Sequence, residues 1–192
     1  KSVRKGVKKS LMIVDMPFNT YKNKSQALKN CRKVMKETKC DGIKLEGGRN
    51  INEIVKHLIK HKIPVMGHIG ITPQSVRGKF RYKGKSDIEK KNLLKDSKSL
   101  EDAGVFAIVL ECIERITSKE ITESIKIPTI GIGSSNFCDG QILVTDDLLG
   151  LTDNKIKFVK KYADLKSNVR KAVKKFKLDV KKGSYPSIKY SY

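Results

Sequence analysis

Ionisable side chains stand at the ends of four short apolar runs of this sequence. They are Asp15, the pair Lys44 and Glu46, His68, and Glu111. Lys44 and Glu46 are two residues apart, so their side chains point to the same face of an extended strand. Two carboxylates suit Mg²⁺, which often takes only one or two protein carboxylates, and a nearby lysine can bind an anionic substrate group. With a separate carboxylate as general base, these residue types predict metal-assisted proton abstraction next to a carbonyl group.

The apolar runs themselves have the pattern of buried parallel strands. Nearly continuous apolar character over four or five residues is typical of strands that are covered on both faces. There are six such runs, at Leu11–Val14, Gly42–Leu45, Val65–Ile69, Phe106–Leu110, Thr129–Ile132 and Gln141–Val144. Longer amphipathic segments separate them, and right-handed crossovers then give either a doubly wound sheet or a (β/α) barrel. In a barrel, the carboxyl ends of the strands carry the active site, which is where the ionisable residues lie.

The segments between the strands predict helices. Ser25 is the expected cap of the first helix, and Gly104 is the expected end of the third. The last helical region is expected over about 155–182, where the sequence is rich in lysine. We therefore expect one domain over residues 1–182, followed by a tail over residues 183–192.

The length of 192 residues is short for a complete barrel. An eight-unit barrel takes about 250 residues. Because a strand already begins near residue 11, we expect the remaining units to precede the first residue. The expected fold is therefore an α/β protein of the (β/α)8 TIM-barrel class, with about six of the eight β/α units visible in this chain.

Composition argues against several classes of protein. No run approaches the roughly 18 apolar residues of a membrane span, so no membrane partner is expected. The four cysteines (Cys31, Cys40, Cys112 and Cys138) lie far apart, which argues against a zinc finger or disulfide framework and for a reducing cytoplasm. The net charge is +22, but the lysines are scattered and tryptophan is lacking, so nucleic-acid binding is not favoured. One basic and aromatic cluster, Lys79–Lys85, would suit a polyanion.

Five blocks of the sequence resemble the ketopantoate hydroxymethyltransferase family. They are Val14–Tyr21, Ile43–Gly48, Pro64–Val76, Val109–Ile113 and Ile127–Asn136, the last continuing to Val144. The resemblance runs from about residue 3 to residue 186 and implies a (β/α)8 enzyme of pantothenate and coenzyme A biosynthesis. Such an enzyme transfers a hydroxymethyl group from 5,10-methylenetetrahydrofolate to 3-methyl-2-oxobutanoate, giving 2-dehydropantoate, and requires Mg²⁺. The resemblance also implies a homo-oligomer, commonly a decamer.

The resemblance implies a role for each strand-end residue. Asp15 resembles a magnesium ligand that also contacts the keto acid, and Glu46 resembles a second metal carboxylate. Lys44 resembles the substrate-binding lysine, and Glu111 resembles the proton acceptor. His68 matches a family histidine that we expect to contact and position these residues rather than the substrate or the metal. A hydrogen-bonded core histidine with no role in the reaction is the other interpretation of His68.

Three functions remain open at the level of the sequence. The first is the folate-dependent hydroxymethyltransferase. The second is another metal-dependent keto-acid barrel, related to phosphoenolpyruvate mutase or isocitrate lyase, which would need a catalytic cysteine or a phosphate-binding loop. The third is a non-catalytic or truncated remnant of the enzyme, or a basic polyanion-binding protein, which the small number of strands and the net charge of +22 would fit.

Overall fold

A computed structural model describes residues 1–74, 81–153 and 155–192 of the chain. The strands are β1 (Ile13–Asp15), β2 (Gly42–Glu46), β3 (Val65–Gly70), β4 (Ala107–Glu111), β5 (Thr129–Ile132) and β6 (Gly140–Gln141). The helices are α1 (Ser2–Gly6), α2 (Lys24–Thr38), α3 (Asn52–Lys60), α4 (Asp87–Ala103), α5 (Arg115–Ser124), α6 (Thr145–Leu148) and α7 (Leu165–Lys181). Short 3-10 helices span Arg49–Ile51 and Ile188–Tyr190. The first two residues of the Lys79–Lys85 cluster lie outside the described residues.

The six strands form one parallel sheet whose spatial order is the order of the sequence, β1-β2-β3-β4-β5-β6. In a doubly wound sheet the strand order reverses at the middle, whereas in a barrel wall each strand pairs with the next one along the chain. The described strands therefore form part of a (β/α) barrel. The predicted fold class and the predicted number of visible strands are confirmed.

The register of the sheet separates an apolar face from a face that carries the ionisable residues. One face is buried against the helices through Ile43, Leu45, Val65, Ile69, Ile108 and Leu110. On the other face, Asp15 lies opposite Lys44, and Glu46 lies opposite His68. Glu111 lies opposite the residue two positions after His68, so it shares their face. The alternation of side chains along each strand thus places all five residues on one side of the sheet.

Local capping fixes where the helices begin and end. The α2 helix starts after Asn23, whose Oδ1 accepts the amide N–H of Gln26 at 2.9 Å. The prediction that Ser25 caps this helix is wrong, because an asparagine two residues earlier already provides the oxygen that the first turn needs. The end of α4 at Gly104 is confirmed, and this glycine has a φ of 94°, the left-handed conformation typical of helix ends.

The described chain divides into two compact units, residues 1–142 and residues 143–192. The first unit contains the whole sheet. In the second unit, α7 begins only at Leu165, after Asp164 accepts the amide N–H of Ser167 at 3.2 Å. The expected helix over 155–182 is therefore shorter at its start, while the expected domain boundary near residue 182 stays a prediction. Within the described residues, no helix has the length and apolar character needed to cross a membrane.

Candidate active site

The five strand-end residues form one connected cluster at the carboxyl ends of β1 to β4. Asp15 Oδ1 lies 2.8 Å from Lys44 Nζ. The same Nζ atom lies 3.1 Å from His68 Nδ1. On the other side of the imidazole ring, His68 Nε2 lies 3.1 Å from Glu111 Oε2. Glu46 Oε1 completes the cluster at 3.8 Å from His68 Nδ1.

His68 is the centre of this cluster, and its contacts fix where its proton sits. The ammonium group of Lys44 can only donate hydrogen bonds, so Nδ1 must accept, and a neutral ring then carries its proton on Nε2. His68 is 2% exposed. Although Glu111 Oε2 is 3.1 Å from Nε2, it lies off the N–H direction, and Nε2 has no hydrogen-bond partner among the described residues. This buried N–H is therefore free to strengthen its contact with Glu111 after a small movement of the carboxylate.

Glu46 is a buried carboxylate whose negative charge is only partly compensated by neighbouring groups. It is 6% exposed, and its Oε2 accepts the backbone N–H of Gln74 at 3.1 Å. Burial raises the pKa of Glu46, and the negative charge of Asp15 raises it further. Interactions with His68, the Gln74 amide and Lys44 oppose these effects. The balance favours a protonated Glu46 or a nearby cation, since either one removes the cost of a buried negative charge.

The two carboxylates of the cluster fit a magnesium ion better than a soft transition metal. Asp15 and Glu46 both offer hard oxygen ligands, and their charges act on each other. In the part of the chain that the structure describes, no group of three or more His, Cys, Asp or Glu side chains is placed to hold a metal. The described residues offer two carboxylates, and Mg²⁺ often takes only one or two protein carboxylates and completes its coordination with substrate and water oxygens.

Two polar residues of the site were not singled out from the sequence. The hydroxyl of Tyr21 accepts the backbone N–H of Glu46 at 3.3 Å and lies 3.4 Å from Gln74 Oε1. Gln74 Nε2 in turn donates to the carbonyl oxygen of Met16 at 3.0 Å. Burial raises the pKa of Tyr21, and the charges of Glu46 and Asp15 raise it further, so Tyr21 remains a neutral phenol. Both residues lie in the motif blocks, which was the available signal, but neither ends a strand.

The backbone around Glu111 is held by close contacts. Gly70 has a φ of 101°, and a Cβ atom at this position would lie 2.2 Å from the carbonyl oxygen of Glu111. Ser134 Oγ donates to the carbonyl oxygen of Leu110 at 2.6 Å and accepts the N–H of Ile113 at 3.1 Å. The loop after β5 is thereby joined to the end of β4. The position of Glu111 depends on both of these contacts.

The cysteine next to Glu111 is a weak candidate for nucleophilic chemistry. Burial raises the pKa of Cys112 to about 11, with a further contribution from the charge of Glu111. The thiolate is the reactive form of cysteine, so Cys112 is protonated and unreactive near neutral pH. This observation disfavours the alternative barrel chemistry that needs a catalytic cysteine at this place.

An open cavity of about 630 Å³ lies elsewhere, between α2 and α3. It is lined by Lys24, Ser25, Leu28, Lys29, Arg32 and His57. None of these residues belongs to the strand-end cluster, and the helices carry none of the carboxylates that the chemistry needs. The candidate site is therefore the cluster at the strand ends, not this cavity.

Comparisons with known proteins connect this geometry to one family. The family model described as ketopantoate hydroxymethyltransferase matches residues 1–188. The chain is 58% identical over 192 residues to the 3-methyl-2-oxobutanoate hydroxymethyltransferase of Pelagibacter ubique, covering 100% of this chain and 74% of that protein. It is 48% identical over 196 residues to the protein of the same name from Clostridium botulinum, covering 71% of it. With that of Helicobacter pylori it shares 49% identity over 195 residues, covering 72% of it.

Proposed function

Because the chain belongs to the ketopantoate hydroxymethyltransferase family, we propose that it transfers a hydroxymethyl group to 3-methyl-2-oxobutanoate and forms 2-dehydropantoate, a step of pantothenate biosynthesis. The observation that carries the proposal is the contact of Glu111 with the buried His68, in the same cluster as Lys44 and two further carboxylates. This arrangement provides a base, an anion-binding group and hard oxygen ligands within one group of side chains. These are the groups that metal-assisted proton abstraction next to a carbonyl group needs.

The proposed one-carbon donor is 5,10-methylenetetrahydrofolate, and the proposed metal is Mg²⁺ held by Asp15 and Glu46. The electrostatics of Glu46 support the metal, since a bound cation offsets the cost of its buried charge. When bound, Mg²⁺ polarises the keto group of the substrate and stabilises the negative charge that develops there. We propose that Asp15 and the ammonium group of Lys44 contact the keto acid, with Lys44 binding its carboxylate.

The chain's own residues then provide the proton transfer. Glu111 takes the proton from C3 of the keto acid, and the electrons of the C–H bond move into the C2–C3 bond and onto the keto oxygen. Water adds to the methylene carbon of the donor and both of its C–N bonds break, so tetrahydrofolate leaves with its two nitrogens protonated and the carbon is released at the oxidation level of formaldehyde. The enolate carbon attacks this carbon and forms the new C–C bond, while the C=O electrons move onto its oxygen, which takes the proton from Glu111 and becomes the hydroxyl group. The N–H of His68, held on Nε2 by the contact of Lys44 with Nδ1, donates to the Glu111 carboxylate once that carboxylate has moved onto the N–H direction, and so orients it during both steps.

Two further proposals concern the whole protein. We propose that it works in the cytoplasm, which is supported by four free cysteines, three of them buried. We also propose that it assembles into a homo-oligomer, a decamer by resemblance to its family. Sedimentation of the purified protein checks the second proposal, and a monomer at micromolar concentration would contradict it.

The proposed role of Glu111 is tested by exchange of the C3 proton of 3-methyl-2-oxobutanoate for deuterium, followed by NMR. Glu111→Gln keeps the size of the side chain and one acceptor oxygen but removes the base. Exchange should slow by about 100-fold or more, with little change in binding of the keto acid. Chelation of Mg²⁺ should slow exchange of the wild-type protein as well.

The control for this experiment is Glu123→Gln, a change of the same type on the exposed surface of α5. This variant should exchange at the wild-type rate. Wild-type exchange in Glu111→Gln would remove Glu111 from the role of base. An unaffected rate after chelation would remove the metal from the mechanism.

A further inference from the structure

A second group of charged side chains lies on the rim of the sheet, at the same end as Glu111. Arg115 begins α5 four residues after Glu111, and Lys119 follows one helical turn later. Phe137 lies in the loop after β5 and is 39% exposed. The guanidinium carbon of Arg115 lies 4.8 Å from the centroid of the Phe137 ring, and Lys119 Nζ lies 4.9 Å from it. Two cations thus share one exposed aromatic ring, and we call these three residues the rim cluster.

The rim cluster is tied to the proposed active site by hydrogen bonds. Ser134 Oγ links the loop after β5 to the carbonyl oxygen of Leu110, the residue before Glu111. In the same loop, Ser135 Oγ accepts the backbone N–H of Phe137 at 3.2 Å. The backbone of Phe137 is therefore anchored in a loop that is itself joined to the end of β4. A molecule that reaches Glu111 across this rim would pass the two cations.

The positive charges of the rim cluster are poorly compensated. Like charges four residues apart on a helix repel each other. The carboxylate of Glu114 is occupied by the N–H groups of Ile116 and Thr117, at 2.8 and 2.9 Å. Lys119 has a carboxylate only 3.7 Å away at its closest, on Glu123, and Arg115 has none within 4.0 Å among the residues described. An anion bound between the two cations would relieve this repulsion.

We propose, on the basis of the function proposed above, that the rim cluster binds the carboxylate-bearing end of the one-carbon donor. A donor of the reduced folate class has a flat aminobenzoyl ring followed by one or more glutamates. Its reactive carbon must reach C3 of the keto acid beside Glu111, and the rim cluster lies at the same end of the sheet, so we place the remainder of the molecule across this rim. Carboxylates suit Arg115 and Lys119, and the flat ring suits the exposed part of Phe137. Affinity for the donor should then increase with the number of its glutamates.

The test compares binding of tetrahydrofolate with one glutamate and with three glutamates, by calorimetry at low salt. The wild-type protein should prefer the triglutamate by about 10-fold, as expected for two exposed ion pairs. The double variant Arg115→Ala with Lys119→Ala should prefer it by less than about 2-fold. Exchange of the keto-acid proton should be unchanged in this variant, because Glu111 and its partners are intact. The swapped variant, Arg115→Lys with Lys119→Arg, keeps both positive charges and should keep the preference for the triglutamate.

A matched control is available on α2, where Arg32 and Lys36 are exposed and have the same spacing. The double variant Arg32→Ala with Lys36→Ala has the same net charge as the rim variant and should keep the wild-type preference. Equal affinity for both ligands in the wild-type protein, a preference that survives in the rim variant, or an equal loss in the α2 control would each overturn the inference. If the wild-type protein exchanges the keto-acid proton but shows no preference for the triglutamate, only the inference about the rim cluster is overturned. If the protein neither exchanges the proton nor binds tetrahydrofolate, the proposed function is overturned as well.

Discussion

A single glycine shows how closely the site residues depend on the backbone around them. Gly70 has a φ of 101°, and an added Cβ would meet the carbonyl oxygen of Glu111 at 2.2 Å. Gly70→Ala would therefore strain the backbone at this positive φ. Its Cβ would also collide with a backbone carbonyl group, which cannot rotate out of the way as a side chain can. We expect a loss of about 3 kcal/mol in the free energy of unfolding, measured by urea denaturation. Proton exchange should fall as well, because the collision displaces the strand end that carries Glu111.

The control for this prediction is Gly6→Ala, since a Cβ at Gly6 would meet no heavy atom within 4 Å among the described residues beyond its own helix backbone and chain neighbours. It should change the free energy of unfolding by less than about 0.5 kcal/mol. If Gly70→Ala were as stable as Gly6→Ala, the close approach between β3 and β4 would not exist in solution.

Residue types at strand ends were enough to predict the members of the cluster, but not their connections. Asp15, Lys44, Glu46, His68 and Glu111 all follow from the rule that parallel strands present their carboxyl ends on one edge. The sequence does not show that Lys44 bridges Asp15 and His68, because that contact depends on the register of three strands. Tyr21 and Gln74 were missed for a related reason. They act from loops through hydrogen bonds to Glu46, and loop positions have no regular spacing.

At the scale of elements, the start of α5 depends on one carboxylate. Glu114 accepts the N–H groups of Ile116 and Thr117 and so caps the helix that carries part of the rim cluster. Burial acts to raise the pKa of Glu114, but the hydrogen bonds from these backbone amides outweigh it, and the pKa is lowered. Glu114→Ala should cost about 1 kcal/mol of stability at pH 7.

The dependence of this cost on pH follows from the direction of the pKa shift. A lowered pKa in the folded state stabilises the fold above the pKa of the unfolded glutamate, about 4.3. That contribution is lost as the pH falls through the lower folded-state pKa. The difference in unfolding free energy between wild type and Glu114→Ala should therefore shrink in acid. Glu114→Gln, which keeps an oxygen acceptor without the charge, should retain part of the stability, and a difference that grew in acid would contradict the cap.

Two of the predicted strands show when an apolar run is enough to predict a strand and when it is not. The span Thr129–Ile132 was predicted with its observed bounds, whereas the run Gln141–Val144 yields a strand only at Gly140–Gln141. Ile142 and Val144 are exposed instead, at 56% and 54%. An apolar run predicts burial only if another element covers it, and the sequence of the run itself does not contain that information.

At the scale of the whole molecule, the dominant property is the positive charge. Lysine accounts for 35 of the 42 basic residues, and lysines occur along α2, α4 and α7 rather than in one stripe. Several are neutralised locally, as in the pairs of Lys24 with Glu53 and Lys90 with Glu120. A lysine is a flexible point charge that lacks the planar fork with which arginine reads guanine bases. The surface therefore attracts polyanions through its charge but has few means of recognising a base sequence.

This distribution of charge predicts weak, sequence-independent binding to DNA. The dissociation constant at physiological salt should lie at about 10⁻⁴–10⁻⁶ M, the range of nonspecific complexes, and two duplexes of unrelated sequence should bind equally. Affinity should fall steeply as salt increases, because binding is driven by the release of counterions from the phosphates. Fluorescence anisotropy with labelled duplexes over a salt series provides the measurement. Sub-micromolar binding that prefers one duplex would instead support the basic-protein alternative, since scattered lysines have no geometry with which to discriminate between bases.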